Sequence, residues 1–186
     1  MQVEFSTARV RLRPMAEADE ALFCDLYSDA ETMRFIGPPL SRERAARGFH
    51  NMLRLMRRPE ADQVFFTLNG LQSDAHLAGA TLGIASIQHV DIPARRAEAG
   101  VVIGSQYRDQ GFAREVLSGL IRFAFERLQL DEVWVRIHAD HTVVEKLVVS
   151  VGLSRGSSVD AHDSDAVMRI WSARRATWSH PLIEYR

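Results

Sequence analysis

Residues 97–128 change hydrophobic period once, at a glycine, and this change constrains the fold more than any other feature of the 186-residue chain. Ala97-Glu98-Ala99-Gly100-Val101-Val102-Ile103-Gly104 reads as a strand rich in β-branched residues. Downstream, Ala113, Val116, Leu117, Leu120, Phe123, Ala124 and Leu128 share one helical face, with Arg114, Glu115, Ser118, Arg122 and Glu126 largely on the other. The order is strand, loop, helix. The loop is Arg108-Asp109-Gln110-Gly111-Phe112-Ala113. A helix start leaves roughly four N–H groups without intrahelical partners and carries about half a positive charge, so an anion can dock there. Gly111 permits close approach, Ala113 keeps the first turn small and Arg108 adds a cation. A glycine before a helix is also commonly just a turn, so the loop by itself decides little. The chain lacks both the Gly-x4-Gly-Lys-Ser/Thr loop and the three-glycine dinucleotide fingerprint. A short pyrophosphate loop of another kind is what remains.

The rest of the chain supplies a sheet for this unit. Arg9 to Arg13 alternates Val10 and Leu12 with arginines, a half-buried strand stopped by Pro14. A helix is expected over about Glu17 to Ser28, burying Leu22, Phe23 and Leu26, with Cys24 on its apolar side as inert core. Ser41 is placed to cap a second helix, with Glu43 in its first turn and Phe49, Met52, Leu53 and Met56 along one face to about Arg57. Strands are predicted over Val64 to Leu68, Ala78 to Val90, Glu98 to Ile103 and Glu132 to Ala139. A helix from about Thr142 to Val151 ends at Gly152, and strands follow around Leu153 to Val159 and Ala166 to Ala173. The sum is an α/β (α+β) protein, a mixed central sheet with helices on both faces, read as one domain over residues 1–186.

Composition excludes several classes of function. With 23 basic and 24 acidic residues the net charge is −1, which gives no electrostatic case for nucleic acid or an anionic membrane. The single cysteine cannot form an internal disulfide, no apolar stretch approaches the ~20 residues needed to span a bilayer, and no charged segment followed by an apolar run opens the chain. A cytoplasmic location is the expected default.

Arg108-x-x-Gly111-x-Ala113 matches the Arg/Gln-x-x-Gly-x-Gly/Ala acetyl-CoA motif of the GCN5-related N-acetyltransferases (GNAT). Thr7–Pro14, Leu26–Ile36, Arg96–Leu120, Phe123–Leu130 and Ala139–Leu153 further resemble, in the same order, the RimJ/RimL-like subgroup. The resemblance implies the GNAT fold, with acetyl-CoA lying in a V-shaped split between the strands Glu98–Ile103 and Glu132–Ala139, and no metal. Pantetheine would bond to the backbone of Val102 and Ile103 as an added strand, and the pyrophosphate would rest on Arg108, Asp109, Gln110, Gly111, Phe112 and Ala113. Lys146 would reach the adenosine phosphates or stand as a solvated helix residue.

The reaction implied is direct attack of an amine on the thioester. An α-amine titrating near about 7.7–8.0 is partly neutral at neutral pH, whereas a lysine near about 10.4 is almost wholly charged, so a base helps the second more. Glu98 stands where similar enzymes carry a glutamate base, and the alternative is a surface ion pair with Arg95 or Arg96. At the helix after the second arm the chain departs from the subgroup. The usual Asn-x-x-Ser is replaced by His141-Thr142-Val143-Val144, and Val148 stands where other members have tyrosine. His141 is therefore a candidate proton donor to the leaving thiolate, or a residue that takes the asparagine's place on the coenzyme. His138, as a lone strand histidine, reads as structural. Asp160 to Asp165 reads as a solvated loop without metal-ligand spacing. The arginines of the second helix (Arg42, Arg44, Arg47, Arg54, Arg57 and Arg58) form a solvated face or border the acceptor. The implied function is acetyl transfer to a primary amine, a peptide N-terminus or a small molecule. The alternative is a non-catalytic acyl-CoA-binding regulatory module, and a homodimer is compatible with either.

Overall fold

The computed structural model describes residues 4–72, 76–156 and 167–179. In chain order the elements are β1 (Phe5–Ser6), β2 (Val10–Pro14), a 3-10 turn (Glu17–Asp19), α1 (Glu20–Ser28), α2 (Ala30–Met33), α3 (Arg42–Met56), β3 (Val64–Gly70), β4 (Thr81–Asp91), β5 (Arg96–Ile103), a second 3-10 turn (Ser105–Tyr107), α4 (Phe112–Glu126), β6 (Glu132–His138), α5 (Thr142–Ser150), β7 (Ser154–Arg155) and β8 (Met168–Arg174). The strands form one sheet in the order β1-β2-β3-β4-β5-β6-β8-β7. Among the described residues no helix is long and apolar enough to cross a membrane.

All neighbouring strands run antiparallel except β5 and β6. A parallel pair needs a long crossover, and α4 provides it. This pair is the break in the sheet. It is joined only at Arg96↔Glu132, Ala97↔Val133 and Glu98↔Trp134. Beyond Glu98, β5 stays with β4 as far as Ile103↔Gly83, while β6 follows β8 as far as His138↔Met168. The two strands therefore part in a V with Glu98 and Trp134 at its vertex.

Alternation along the strands sends their two sets of side chains to opposite layers. Ala97, Ala99, Ile103, Val133, Val135 and Ile137 pack with Phe112, Val116, Leu120, Val148 and Val151 of the α4 and α5 layer. Phe65 and Ile84 pack with Phe23, Leu26, Phe49, Met52 and Leu53 of the α1 and α3 layer. Each fully buried Leu or Phe contributes roughly 1.5–3 kcal/mol, so the sheet is clamped on both faces and the split between β5 and β6 is held open by rigid walls. Glu98 and Val102 share the α1 and α3 face with Trp134, Arg136 and His138.

Several expectations need correction. Glu115 and Ser118 of α4 are not on a solvent face; both are buried, and the β1–β2 connection lies over Glu115. The first helix starts with a 3-10 turn in which buried Asp19 accepts from both Arg13 Nη atoms at 2.7 Å and from the Ala16 amide at 2.8 Å. β4 begins at Thr81 rather than Ala78, since the chain is still turning at Gly79 (φ 77°). The short α2 is unanticipated; Asp29 caps it, accepting from the Thr32 amide and hydroxyl at 2.8 and 2.6 Å. The Asp160–Asp165 loop and the end of the strand expected to Val159 lie outside the described residues.

Candidate active site

A cleft of about 510 Å³ occupies the V. Val101, Val102 and Ile103 of β5 form one wall and Arg136, Ile137 and His138 of β6 the other. Gly111, Phe112, Ala113 and Arg114 at the start of α4 close one end, with Thr32, Arg34 and Phe35 from the α2 region and Val144 and Leu147 of α5 around them. The loop before α4 bends through positive φ at Asp109 (60°) and Gly111 (81°). Gly111 is the N-cap in the left-handed region, where a Cβ would be strained. No side chain caps α4. Its first amides thus lie at the cleft without the partners that a helix start requires.

The β6-facing edge of β5 is in the same condition. From Ala99 to Ile103 that edge has no strand beside it among the described residues. Unpaired strand backbone and uncapped helix amides facing one cavity fit a ligand with an amide-bearing arm at one end and a phosphate group at the other. That is the chemistry of coenzyme A. Among the described residues no three metal-ligating side chains come together.

The residues expected at this site are not all used alike. Arg108 lines the cleft, but its guanidinium donates to Glu31 Oε1 at 2.7 Å and to Thr32 Oγ1 at 2.8 Å. Its charge ties the loop to α2 instead of standing free for a ligand. Gln110 is outside the cleft wall, its carbonyl accepting from Arg9 at 3.1 Å and its side chain donating to the Gln106 carbonyl at 3.1 Å. Phe112 lines the cleft and is also part of the buried core. Lys146 is exposed and stands outside the wall. The arginines of α3 likewise stay out of it. Arg42 pairs with Asp25, Arg47 with Glu43 and Arg57 with Glu17.

Glu98 sits at the vertex with a side chain 12% exposed. The anticipated partners Arg95 and Arg96 pair with Asp131 and Asp91 instead. Its contacts are Arg136 Nη2 at 3.1 and 3.4 Å and His89 Nε2 at 3.6 Å. Burial pushes the carboxyl above its ordinary range, and the charges of Arg136 and His89 oppose that without cancelling it. A carboxylate so placed accepts a proton more readily than a solvated one. His89 and Arg136 also lie against Trp134, the imidazole nearly parallel at 6.4 Å and the guanidinium 5.8 Å from the ring centroid.

His141 caps no amide of α5 with its side chain; it lines the cleft and stacks on Phe35 at 4.1 Å. Burial holds it below the usual histidine value, and the nearby His138, Arg108 and Arg34 push the same way. His138, read as structural, is in the cleft wall and accepts from the Asp140 amide at 3.2 Å. Thr32, Phe35, Tyr107 and Arg136 are cleft residues that sequence reasoning missed. Only Arg136 carried a signal, since it alternates with buried Val135 and Ile137 on the β6 face shared with Trp134.

A family model for the acetyltransferase (GNAT) domain matches residues 9–154. The chain is 25% identical over 151 residues to the "Uncharacterized N-acetyltransferase p20" of Bacillus licheniformis, covering 80% of this chain and 81% of that one. Its fold is similar to an acetyltransferase from Agrobacterium tumefaciens str. C58 (TM-score 0.76, 16% identity, 94% and 96% of the two chains). It is also similar to spermidine N-acetyltransferase from Vibrio cholerae in complex with CoA and spermine (TM-score 0.74, 13% identity, 90% and 96%).

Proposed function

The chain belongs to the GNAT acetyltransferase family, and on that premise we propose that it moves acetyl from acetyl-CoA to a primary amine, with Glu98 as base. The observation that carries this reading is the parting of β5 and β6 beside the uncapped start of α4. The amides of Gly111 to Ala113 hold the pyrophosphate, and the open β5 edge at Val102 and Ile103 holds the pantetheine. Asp109 shapes the turn, Arg108 fixes it to α2, and Lys146, exposed on α5 outside the wall, would reach the adenosine phosphates. Bound acetyl-CoA supplies the electrophilic thioester carbon. Glu98 takes the proton that the amine loses, directly or through water, and Arg136 keeps the carboxylate in place. The thiolate leaves with no serine or tyrosine donor at Val144 or Val148; a thiol titrating near about 8.5, as cysteine does, tolerates that.

The charge of the wall is accounted for by the donor. Arg34, Arg108, Arg114 and Arg136 stand with Glu31 and Asp109 around the cleft, and Arg108 is paired with Glu31 and Arg136 with Glu98. What remains matches the donor's phosphates. The acceptor is read as a primary amine, a peptide N-terminus or a small molecule, with no charge preference set by this wall.

Calorimetric titration of acetyl-CoA into the wild type and a Gly111→Glu variant, followed by thiol release over a panel of amines, tests the reading. Binding to the wild type, at least about tenfold weakened by a side chain forced into the left-handed turn, is the expected result. No binding to the wild type would sink it. Coenzyme binding without turnover on any amine would instead favour a regulatory acyl-CoA-binding module, the reading motivated by the valines at 144 and 148.

A further inference from the structure

The strongest unexplained group outside the cleft is a carboxylate with no business on the inside of a helix. Glu115, in the first turn of α4, has a side chain shut off from solvent. Its Oε1 accepts from Thr7 Oγ1 at 2.6 Å and from the Arg9 amide at 2.7 Å, and its Oε2 accepts from Arg9 Nε at 2.8 Å. One turn on, Gly119 makes room, since a Cβ there would stand 2.6 Å from Thr7 Cγ2. Burying a carboxylate is costly unless it is paired and hydrogen-bonded, and these donors come from more than 100 residues away.

The same guanidinium has a second task. Its Nη2 donates to the Gln110 carbonyl at 3.1 Å, its carbon lies 4.4 Å from the Phe112 ring centroid, and Nη2 comes within 3.6 Å of where a Gly111 Cβ would be. It therefore touches the residues on either side of the helix cap and stands close to the cap itself. Arg9 itself is not in the cleft wall; it acts from behind the loop.

We propose that Arg9, anchored on Glu115, is a positioning residue that fixes the direction of the Gly111–Ala113 amides toward the coenzyme. This rests on the reading that those amides hold the pyrophosphate. Pinning β2 to α4 needs only the bonds to Glu115. The Nη2 bond to Gln110 adds nothing to that joint, and it is what orients the loop. Arginine suits both tasks because its fork presents separate nitrogens in fixed directions; lysine offers a single one.

Arg9→Lys separates the two tasks. The ammonium is expected to stay with Glu115 and leave Gln110. Three measurements on the full chain are needed: thermal unfolding, calorimetric affinity for CoA beside pantetheine, and amide hydrogen exchange over residues 110–114. Near wild-type unfolding, CoA affinity about tenfold weaker, pantetheine affinity unchanged and faster exchange at the start of α4 would support the brace. A variant that binds CoA as tightly as a wild type that itself prefers CoA to pantetheine overturns the brace alone. A wild type that binds CoA no more tightly than pantetheine overturns the pyrophosphate reading, and the inference with it.

Discussion

Glu98 and Glu115 are two buried carboxylates, neither in the cleft lining and each one step removed from it, Glu98 through Arg136 and Glu115 next to Arg114 in the chain, and they are treated in opposite ways. Glu115 is fully enclosed, with three short donors distributed over both oxygens. Glu98 keeps 12% of its side chain exposed, and its nearest donor is a half-exposed arginine at 3.1 Å. The first has its acceptor capacity filled by groups that cannot leave without unfolding the β1–β2 connection. The second is desolvated but under-bonded, so its affinity for a proton rises. Burial alone does not mark a functional acid or base. Burial with unfilled acceptor capacity, next to a cavity, does.

Glu98→Gln is the change with the largest expected effect on turnover and the smallest on stability. Loss of a base lowers kcat/KM by about 10²- to 10⁴-fold. Wild-type kcat/KM should rise with pH through the raised pKa of Glu98, because only the ionised form accepts the amine proton. Removing the opposing charge with Arg136→Gln should move that acid limb to higher pH. For stability the sign is reversed. The folded state binds the Glu98 proton more tightly than the unfolded chain does, so the ionised carboxylate weakens the fold above its unfolded pKa. The glutamine variant should therefore unfold no earlier than wild type at neutral pH. A lowered Tm with unchanged turnover would erase the contrast with Glu115.

Glu115→Gln sharpens the contrast from the other side. The amide NH2 would face the Arg9 amide or Nε, donor against donor, and the arginine would lose its countercharge. A cost of about 3 kcal/mol or more is expected, or roughly 6–12 °C in Tm for a chain of this size. Whatever folded protein remains should keep the pH dependence of the wild type. A shifted acid limb would mean that the two carboxylates are not independent.

The split between the parts of this site that sequence reveals and those that it hides has a physical origin. The turn at Gly111, the β5 arm and the α4 stripe were legible because each depends on neighbours in the chain: a left-handed cap, an alternation, a 3.6-residue period. Glu115 was placed on the wrong face for the same reason. Its partners Thr7 and Arg9 lie on β2's approach, and helical period cannot register a cover that arrives from elsewhere. Phe35 and Thr32 were missed because α2 has four residues, too few to show a period. The cleft wall at Tyr107 and Arg136 exists only once β5 and β6 part, and the bond from Arg108 to Glu31 exists only once α2 reaches the loop.

The smallest expected effect belongs to His141, the replacement for the subgroup's asparagine. Burial first, and then three neighbouring cationic or protonatable groups, hold its pKa below the ordinary histidine value. At neutral pH the imidazole is therefore mostly uncharged, and a neutral ring is a poor source of a proton for a departing thiolate. Its stacking on Phe35 survives in either state and can orient a ligand. His141→Asn is accordingly expected to leave kcat within about threefold of wild type near neutral pH, with the deficit growing as pH falls toward the range where wild-type His141 is protonated. A pH-rate series on the two proteins with one acceptor checks this. A large, pH-independent loss confined to KM for acetyl-CoA would make the ring a coenzyme contact and remove it from proton transfer. Glu98, bonded to the cleft wall through Arg136, would then carry the proton transfer alone.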